Sequence, residues 1–276
     1  MLTQVRNSLA TLLLAAGSVL LVTAAQAQTA RFVSSAGDNA NNCTREFPCR
    51  TLQRGINKTA AGGELQILDS GVYGNSVTID RSITISAVGV AATAGSILIN
   101  APGATVVLRG LLLNGTAAAP GAQGIGIVDA ATVHLVDCQV ERFPTNGIIV
   151  TADNIELSVA NSTIRSNSQH GFLVNTFSSG ARVTITGSRF ENHGGSGIRN
   201  VGSGTGQMTI ENSVSFGNLA GVHAGNGAVV RISNSVVTGN TTGLENSGGT
   251  LLSRGNNTVS GNTTETSGTI TALGGI

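Results

Sequence analysis

The feature that most constrains the fold of this chain is a sequence repeat in its C-terminal half. Each repeat begins with a short alternating segment, such as Val183-Thr184-Ile185, continues with an Asn-Ser or Gly-Ser pair, and reaches a second asparagine. A glycine and an apolar residue follow in the first four copies. The second asparagines lie 25, 26, 22 and 22 residues apart, at Asn167, Asn192, Asn218, Asn240 and Asn262. A period sustained over this length identifies a repeat architecture.

The composition of the repeats favours strands over helices. Their short segments are rich in Val, Ile and Thr in period-two alternation and are bounded by Gly, Asn and Ser. The chain has 38 glycines and only 11% charged residues, whereas helical repeats of similar period need long runs of Leu, Ala, Glu and Lys. We therefore predict an all-β fold, a parallel β-helix of about 8–10 coils that forms a single solenoid.

Stacking of the coils explains why asparagine and glycine recur. Successive coils of such a solenoid lie about 4.8 Å apart, so equivalent side chains form columns. Asparagine at a sharp corner tolerates left-handed backbone angles and hydrogen-bonds the equivalent asparagine of the next coil. We therefore expect the five asparagines to form a structural corner ladder. The glycines that follow, Gly171, Gly197, Gly221 and Gly243, are expected to serve the same turning requirement.

Residues 1–27 have the pattern of an export signal. Arg6 precedes an apolar segment, and Ala25-Gln26-Ala27 is a small-x-small motif that predicts cleavage after Ala27. We expect residues 28–75 to form an N-terminal cap that leads into the first coil, and residues 76–276 to form the β-helix. No later segment approaches the roughly 20 apolar residues that a spanning helix needs. These patterns predict a secreted or periplasmic protein without a transmembrane segment.

The cap region contains two of the three cysteines. Cys43 and Cys49 lie in a loop rich in Asn, Gly and Pro, and in an exported protein this close spacing predicts a disulfide. Leu52 and Ile56 then share one face of a short helix that would cover the open end of the solenoid. Cys138 is interpreted as a buried small apolar residue in preference to a nucleophile.

The charge distribution excludes some classes of partner. The formal net charge is +1, Lys58 is the only lysine, and the arginines are scattered, whereas proteins that bind nucleic acid cluster their basic residues. The residues imply no cofactor and no metal site. The C-terminal end carries no segment comparable to the N-terminal helix, which favours that end as a surface for forming an oligomer.

The cap sequence PCRTLQRGINKTAAGGELQILDSGVYGNSVTIDRSITISAVG, followed by coils such as VTITGSRFENHGGSGI, resembles the pectin-lyase-like superfamily of right-handed parallel β-helix proteins. The resemblance covers residues 30–265 and implies a right-handed solenoid. It implies no single activity, because the superfamily includes pectate lyases, polygalacturonases, phage tailspikes and exported proteins without assigned activity. Gln169-His170-Gly171 resembles the Gly-His-Gly element of polygalacturonases, but no aspartate follows Asp153.

One set of polar residues emerges when the coils are aligned on their glycines. The second residue after each glycine is, in successive coils, Ile149, Leu173, Arg199, His223 and Glu245. If the last three share a face, Arg199 would bind an acidic sugar while His223 accepts a proton, its basicity raised by Glu245. The alternative is a ladder of exposed, mutually compensating charges that contributes only a fraction of a kcal/mol per pair.

Three functions are therefore compatible with the sequence. The first is a non-catalytic exported β-helix with a structural or binding role outside the cytoplasm, directed at an acidic polysaccharide. The second is a lyase, hydrolase or epimerase acting on an acidic glycan, with Arg199, His223 and Glu245 as its catalytic residues. The third is a tailspike-like or adhesin-like assembly module. The chain has no Trp and only one Tyr, which is few for a groove that stacks sugar rings.

Overall fold

Three parallel sheets surround one apolar core in the described residues, which are 30–202 and 206–274 of a computed structural model. Each complete coil contributes a strand to each sheet, and strands of neighbouring coils pair in parallel. The predicted all-β parallel β-helix is therefore confirmed. The predicted export signal and its cleavage site at Ala27 lie outside the described residues.

Sheet A has 11 strands. They are Arg31–Val33, Gly63–Ile67, Ile83–Ser86, Thr105–Arg109, Thr132–Val136, Glu156–Ala160, Arg182–Thr186, Gln207–Glu211, Val229–Ser233, Thr250–Ser253 and Ile270–Ala272. Alternate side chains point inward, as the period-two pattern predicts. One inward column consists of buried Val133, Leu157, Val183, Met208, Val230 and Leu251.

Sheets B and C have nine strands each. The strands of sheet B are Gly71–Val72, Ala92–Ala94, Leu111–Asn114, Gln139–Glu141, Thr163–Arg165, Arg189–Glu191, Val214–Phe216, Val236–Thr238 and Thr258–Val259. The strands of sheet C are Ser76–Ile79, Ser96–Asn100, Ile125–Asp129, Ile148–Val150, Phe172–Val174, Ser196–Asn200, Ala220–Gly225, Thr242–Ser247 and Thr264–Ser267.

A short helix and a disulfide loop close the N-terminal end. Helix Leu52–Lys58 is capped at its N-terminus by Thr51, whose hydroxyl accepts a hydrogen bond from the Arg54 backbone N–H at 3.3 Å. Leu52 and Ile56 are fully buried, so the helix packs its apolar face on the solenoid as predicted. The predicted disulfide between Cys43 and Cys49 is confirmed. Together these elements cover the apolar core at this end.

Serine side chains form a hydrogen-bonded column at the corner between sheets A and B, which we call the serine corner. The hydroxyls of Ser162, Ser188, Ser213 and Ser235 each accept the N–H of the equivalent residue one coil earlier, at 3.1–3.2 Å. Each also donates to a carbonyl two residues before it. Cys138 occupies the first position of the column and is buried. Burial raises the pKa of its thiol to about 11, which agrees with its interpretation as an unreactive residue.

The asparagine corner, between sheets B and C, corrects one predicted residue. The side chains of Asn167, His193, Asn218, Asn240 and Asn262 each accept the backbone N–H of the residue one coil earlier, at 2.9–3.2 Å. Asn192 is not in this column. It lies one residue earlier, is exposed, and has a φ of 56°. In each coil the residue with left-handed backbone angles directly precedes the residue whose side chain enters the ladder. Because asparagine is favoured at both positions, the residue type alone could not show which of the two enters the ladder.

The glycines that follow the asparagine corner are required for a different reason from the predicted one. None of Gly171, Gly197, Gly221 and Gly243 has a positive φ. A Cβ at Gly197 would lie 2.8 Å from the Asn218 side-chain nitrogen, and one at Gly243 would lie 2.8 Å from that of Asn262. The expectation that these glycines serve a turn is therefore wrong. They leave the space that the buried amides of the ladder occupy.

The last coil ends the ladder with a carboxylate. Glu265 accepts the Gly261 backbone N–H at 3.0 Å and the Asn262 side-chain N–H at 2.7 Å. In the preceding coil, the equivalent N–H of Gly239 donates to the carbonyl of Gly261. Glu265 therefore takes the place that a following coil would have at this corner.

Candidate functional site

The outer face of sheet C changes character along the solenoid. One outward column, which we call the sheet C column, pairs residue by residue between coils. Its members are Thr78, Leu98, Gly126, Ile149, Leu173, Arg199, His223, Glu245 and Ser267. From Leu98 to Leu173 the column has no polar side chain, and from Arg199 onward every member is charged or polar. The register derived from the glycines places Arg199, His223 and Glu245 side by side, and the structure has the same register.

His223 lies at the centre of the polar half and has little contact with solvent. Its exposed fraction is 6%. Ring atom Nε2 lies 2.7 Å from the Ser247 hydroxyl, and Nδ1 lies 3.7 Å from a carboxylate oxygen of Glu245. Burial lowers the pKa of His223, and although Glu245 opposes this effect, Arg199 adds to it. The ring is therefore neutral near pH 7, with both nitrogens directed at groups of the protein itself.

His170, which the sequence analysis noted only in the segment Gln169-His170-Gly171, joins this cluster from the preceding corner. Its Nδ1 accepts the Ser196 backbone N–H at 2.9 Å, and its Nε2 lies 3.4 Å from Nη1 of Arg199. Burial, followed by the charges of Arg199 and His223, lowers the pKa of His170 to about 4. Its position directly before Gly171, in a repeat whose glycines precede the sheet C strands, indicated that it lies beside sheet C, but the sequence did not pair it with Arg199.

A second charged cluster lies on sheet B, and its central carboxylate is fully paired with neighbouring side chains. Glu141 is 3% exposed, and its carboxylate accepts hydrogen bonds from Asn114, Gln139 and Arg165 at 2.7–2.8 Å. Burial by itself would raise the pKa of Glu141, but the hydrogen bonds from Arg165 and Gln139 outweigh it and lower the pKa. Because Arg142 adds a fourth contact at 3.2 Å, no side of this carboxylate is left for a ligand.

Residues 30–202 and 206–274 contain neither a metal-binding cluster nor a membrane-spanning helix. In these ranges no group of three or more His, Cys, Asp or Glu side chains is placed to hold a metal ion. Within the same part of the chain, no helix is both long enough and apolar enough to cross a membrane.

A family model described as "Right handed beta helix region" matches residues 63–215. The chain belongs to the right-handed β-helix family. The match gives the handedness of the solenoid and confirms the resemblance to the pectin-lyase-like superfamily. No match to this β-helix protein was found among the curated proteins.

Two solved structures share the fold of this β-helix protein. Pectate lyase Pel9A superposes with a TM-score of 0.60 at 16% sequence identity, covering 88% of this chain and 76% of that chain. A rhamnogalacturonan lyase superposes with a TM-score of 0.55 at 13% identity, covering 81% of this chain and 75% of that chain. At such low identities the likeness shows the fold alone, so the function has to be argued from the residues of the sheet C column.

Proposed function

We propose that this β-helix protein is exported, after cleavage behind Ala27, and binds a polysaccharide on the outer face of sheet C without cleaving it. The observation that carries the non-catalytic part is the placement of His223. Both ring nitrogens face protein groups, whereas a general base needs a nitrogen within hydrogen-bond reach of the substrate proton.

The binding part is supported by the shape and chemistry of the same face. The sheet C column presents partly exposed Ile149, Leu173, Arg199 and Glu245 along the solenoid axis, which provides an elongated surface with apolar and polar ends. The two superposed proteins are, by name, lyases of pectate and of rhamnogalacturonan. An extended glycan is therefore the ligand class that we assign to this surface.

Binding and activity screens of the purified mature protein test this proposal together. We expect retardation in affinity electrophoresis with at least one acidic polysaccharide, and no release of unsaturated uronate or reducing ends. A variant with Arg199, His223 and Glu245 all replaced by Ala should lose the binding. Reproducible product release that this triple variant lacks would establish an enzyme instead and overturn the non-catalytic assignment.

Export is tested separately from binding. When the full chain is expressed in a secreting bacterial host, the mature protein should be recovered outside the cytoplasm with Gln28 as its first residue. N-terminal sequencing checks the cleavage site. Recovery of an uncleaved, cytoplasmic chain would contradict the assigned signal.

Assembly through the C-terminal end remains a separate prediction. Glu265 satisfies donors of the final asparagine corner, and all four residues of strand Thr264–Ser267 are exposed. Sedimentation at increasing protein concentration measures whether this end pairs with another copy. A mass that stays at one chain throughout would rule out the assembly alternative.

A further inference from the structure

Two hydrogen-bond donors meet on the face of sheet C without an acceptor between them. Nη1 of Arg199 and Nε2 of His170 are 3.4 Å apart. The Ser196 backbone N–H donates to Nδ1 of His170, so Nδ1 is the acceptor and the neutral ring carries its hydrogen on Nε2. Arginine has only donors. The contact therefore brings two N–H groups together and is not a hydrogen bond.

Arg199 has a second unsatisfied donor. Its Nε is buried and has no hydrogen-bond partner among the described residues. Arg165 on sheet B shows the ordinary arrangement, because its guanidinium contacts the Glu141 carboxylate through Nε at 2.7 Å and through Nη2 at 2.6 Å. The described ion pairs include no carboxylate partner for Arg199. Buried polar groups normally have partners, so these donors require an explanation.

From this geometry we propose that His170 and Arg199 form a subsite for a single anionic group of the glycan, a carboxylate or a sulfate ester. An oxygen acceptor between the two side chains would receive hydrogen bonds from Nε2 of His170 and from the guanidinium of Arg199. A planar guanidinium binds such oxygens in a bidentate, charge-assisted geometry. The inference rests on the proposed glycan-binding function and specifies its ligand.

The neighbours of the subsite define what flanks the anion. On one side, Leu173 and Ile149 continue the sheet C column with aliphatic side chains. On the other side, Glu245 lies two coils from Arg199, or about 10 Å at the usual strand spacing. Uncharged sugar units fit the aliphatic side, next to Leu173. On the opposite side, a second anionic group of the glycan would be repelled by the Glu245 carboxylate. The subsite therefore selects a glycan with isolated anionic units over a continuous polyanion.

Calorimetric titration of the purified mature protein tests the subsite with three probes. These are a uronate oligosaccharide in which most carboxylates are methyl-esterified, the same oligosaccharide with every carboxylate free, and a sparsely sulfated neutral oligosaccharide. The first and third compare the two sources of anion. The variants are Arg199→Gln, Glu245→Gln and the control Arg182→Gln, which removes an exposed arginine from sheet A.

We expect the wild-type protein to bind a sparsely charged probe more tightly than the fully charged one. Arg199→Gln should weaken that binding at least about tenfold, as expected for loss of charge-assisted hydrogen bonds, and Arg182→Gln should leave it unchanged. Glu245→Gln should strengthen binding of the fully charged probe several-fold. A folded Arg199→Gln protein that binds all probes like the wild type would overturn the subsite.

The outcomes separate this inference from the proposed function. Binding that is equal for the sparsely charged and the fully charged probes, and unaffected by Arg199→Gln, would retain glycan binding and reject the anion subsite. Absence of binding to every glycan would reject both. Thermal unfolding of Arg199→Gln verifies its fold, and its Tm should be no lower than that of the wild type, because the substitution removes an unpartnered buried donor.

Discussion

The two halves of the solenoid close their corners with different chemistry. From Cys138 onward, side-chain acceptors hydrogen-bond the neighbouring coil at both the serine corner and the asparagine corner. In the N-terminal half, the corner between sheets A and B at Gly110 and Leu111 has a buried leucine where the later coils have serine. Hydrogen-bonded columns impose the same short turn on every coil, whereas an apolar corner accepts loops of different length.

This difference explains why the repeat is easier to recognise in the sequence of the C-terminal half than in that of the N-terminal half. A ladder residue hydrogen-bonds the coils on both sides, so its position in the coil is fixed. The number of residues between successive ladder positions therefore varies little. In the N-terminal half, sheet B strand Leu111–Asn114 is joined to sheet C strand Ile125–Asp129 by a longer loop at residues 115–124. The apolar columns remain continuous there, because packing requires only that an apolar side chain reaches the core.

The largest expected effect comes from removing a central ladder residue. Asn218 accepts the His193 N–H and donates to Phe190, Ser215 and Asn240. Asn218→Ala should lower the free energy of unfolding by about 3–4 kcal/mol, because it leaves buried backbone groups unpaired. Denaturant unfolding measures the loss. In the control Asn212→Ala, which changes an exposed residue at a φ of 51°, the loss should be about 1 kcal/mol. Equal losses would contradict a special role for the buried ladder.

The second effect is a dependence on pH that arises from His193 in the same ladder. Its Nδ1 accepts the Asn167 N–H, and burial lowers its pKa from 6.5 to about 4. The unfolded chain therefore binds a proton at a higher pH than the folded chain does. Stability from this residue is present above about pH 6.5 and is lost as the pH falls towards 4, by on the order of 3 kcal/mol.

His193→Asn restores the residue type of the other ladder positions and removes the titrating group. Compared at pH 7 and at pH 4, the variant should lose less unfolding free energy on acidification than the wild type. The remaining loss should reflect His170 and His223, whose pKa values are also lowered by burial. An identical acid response in both proteins would mean that His193 does not titrate in this range.

A smaller effect is expected where the aliphatic half of the sheet C column meets the polar half. Arg199→Leu extends the run of Ile149 and Leu173 by one coil and removes a buried nitrogen that has no partner in the described part of the chain. We expect the free energy of unfolding to rise by about 1 kcal/mol, and thermal unfolding checks it. A clear loss of stability would show that the guanidinium is held by the protein itself rather than reserved for a ligand.

The smallest effect should be at the residue that the sequence misassigned. Asn192 occupies a left-handed position that is glycine in later coils, at Gly217 and Gly239. Asn192→Gly should therefore change the unfolding free energy by no more than about 0.5–1 kcal/mol. A loss of unfolding free energy as large as that of Asn218→Ala would show that Asn192 is a member of the ladder.

Much of the fold was predictable, because its signals are periodic. The alternation in segments such as Val183-Thr184-Ile185 predicted inward columns, and the glycine spacing predicted the register of Arg199, His223 and Glu245. The burial of His223 and the approach of His170 to Arg199 were not predictable. They depend on rotamers and on the depth of each side chain in the surface, and neither quantity has a period in the sequence.

The sequence by itself determined that this chain forms stacked coils, with cysteines paired at one end and asparagines at one corner. Those properties follow from local preferences and from repetition, which are readable residue by residue. Only the tertiary structure decided which of two adjacent residues, Asn192 or His193, enters the ladder, and that the glycines make room for amides. It also decided that Nε of Arg199 has no hydrogen-bond partner among the described residues, because pairing is set by distances between coils that the order of residues does not contain.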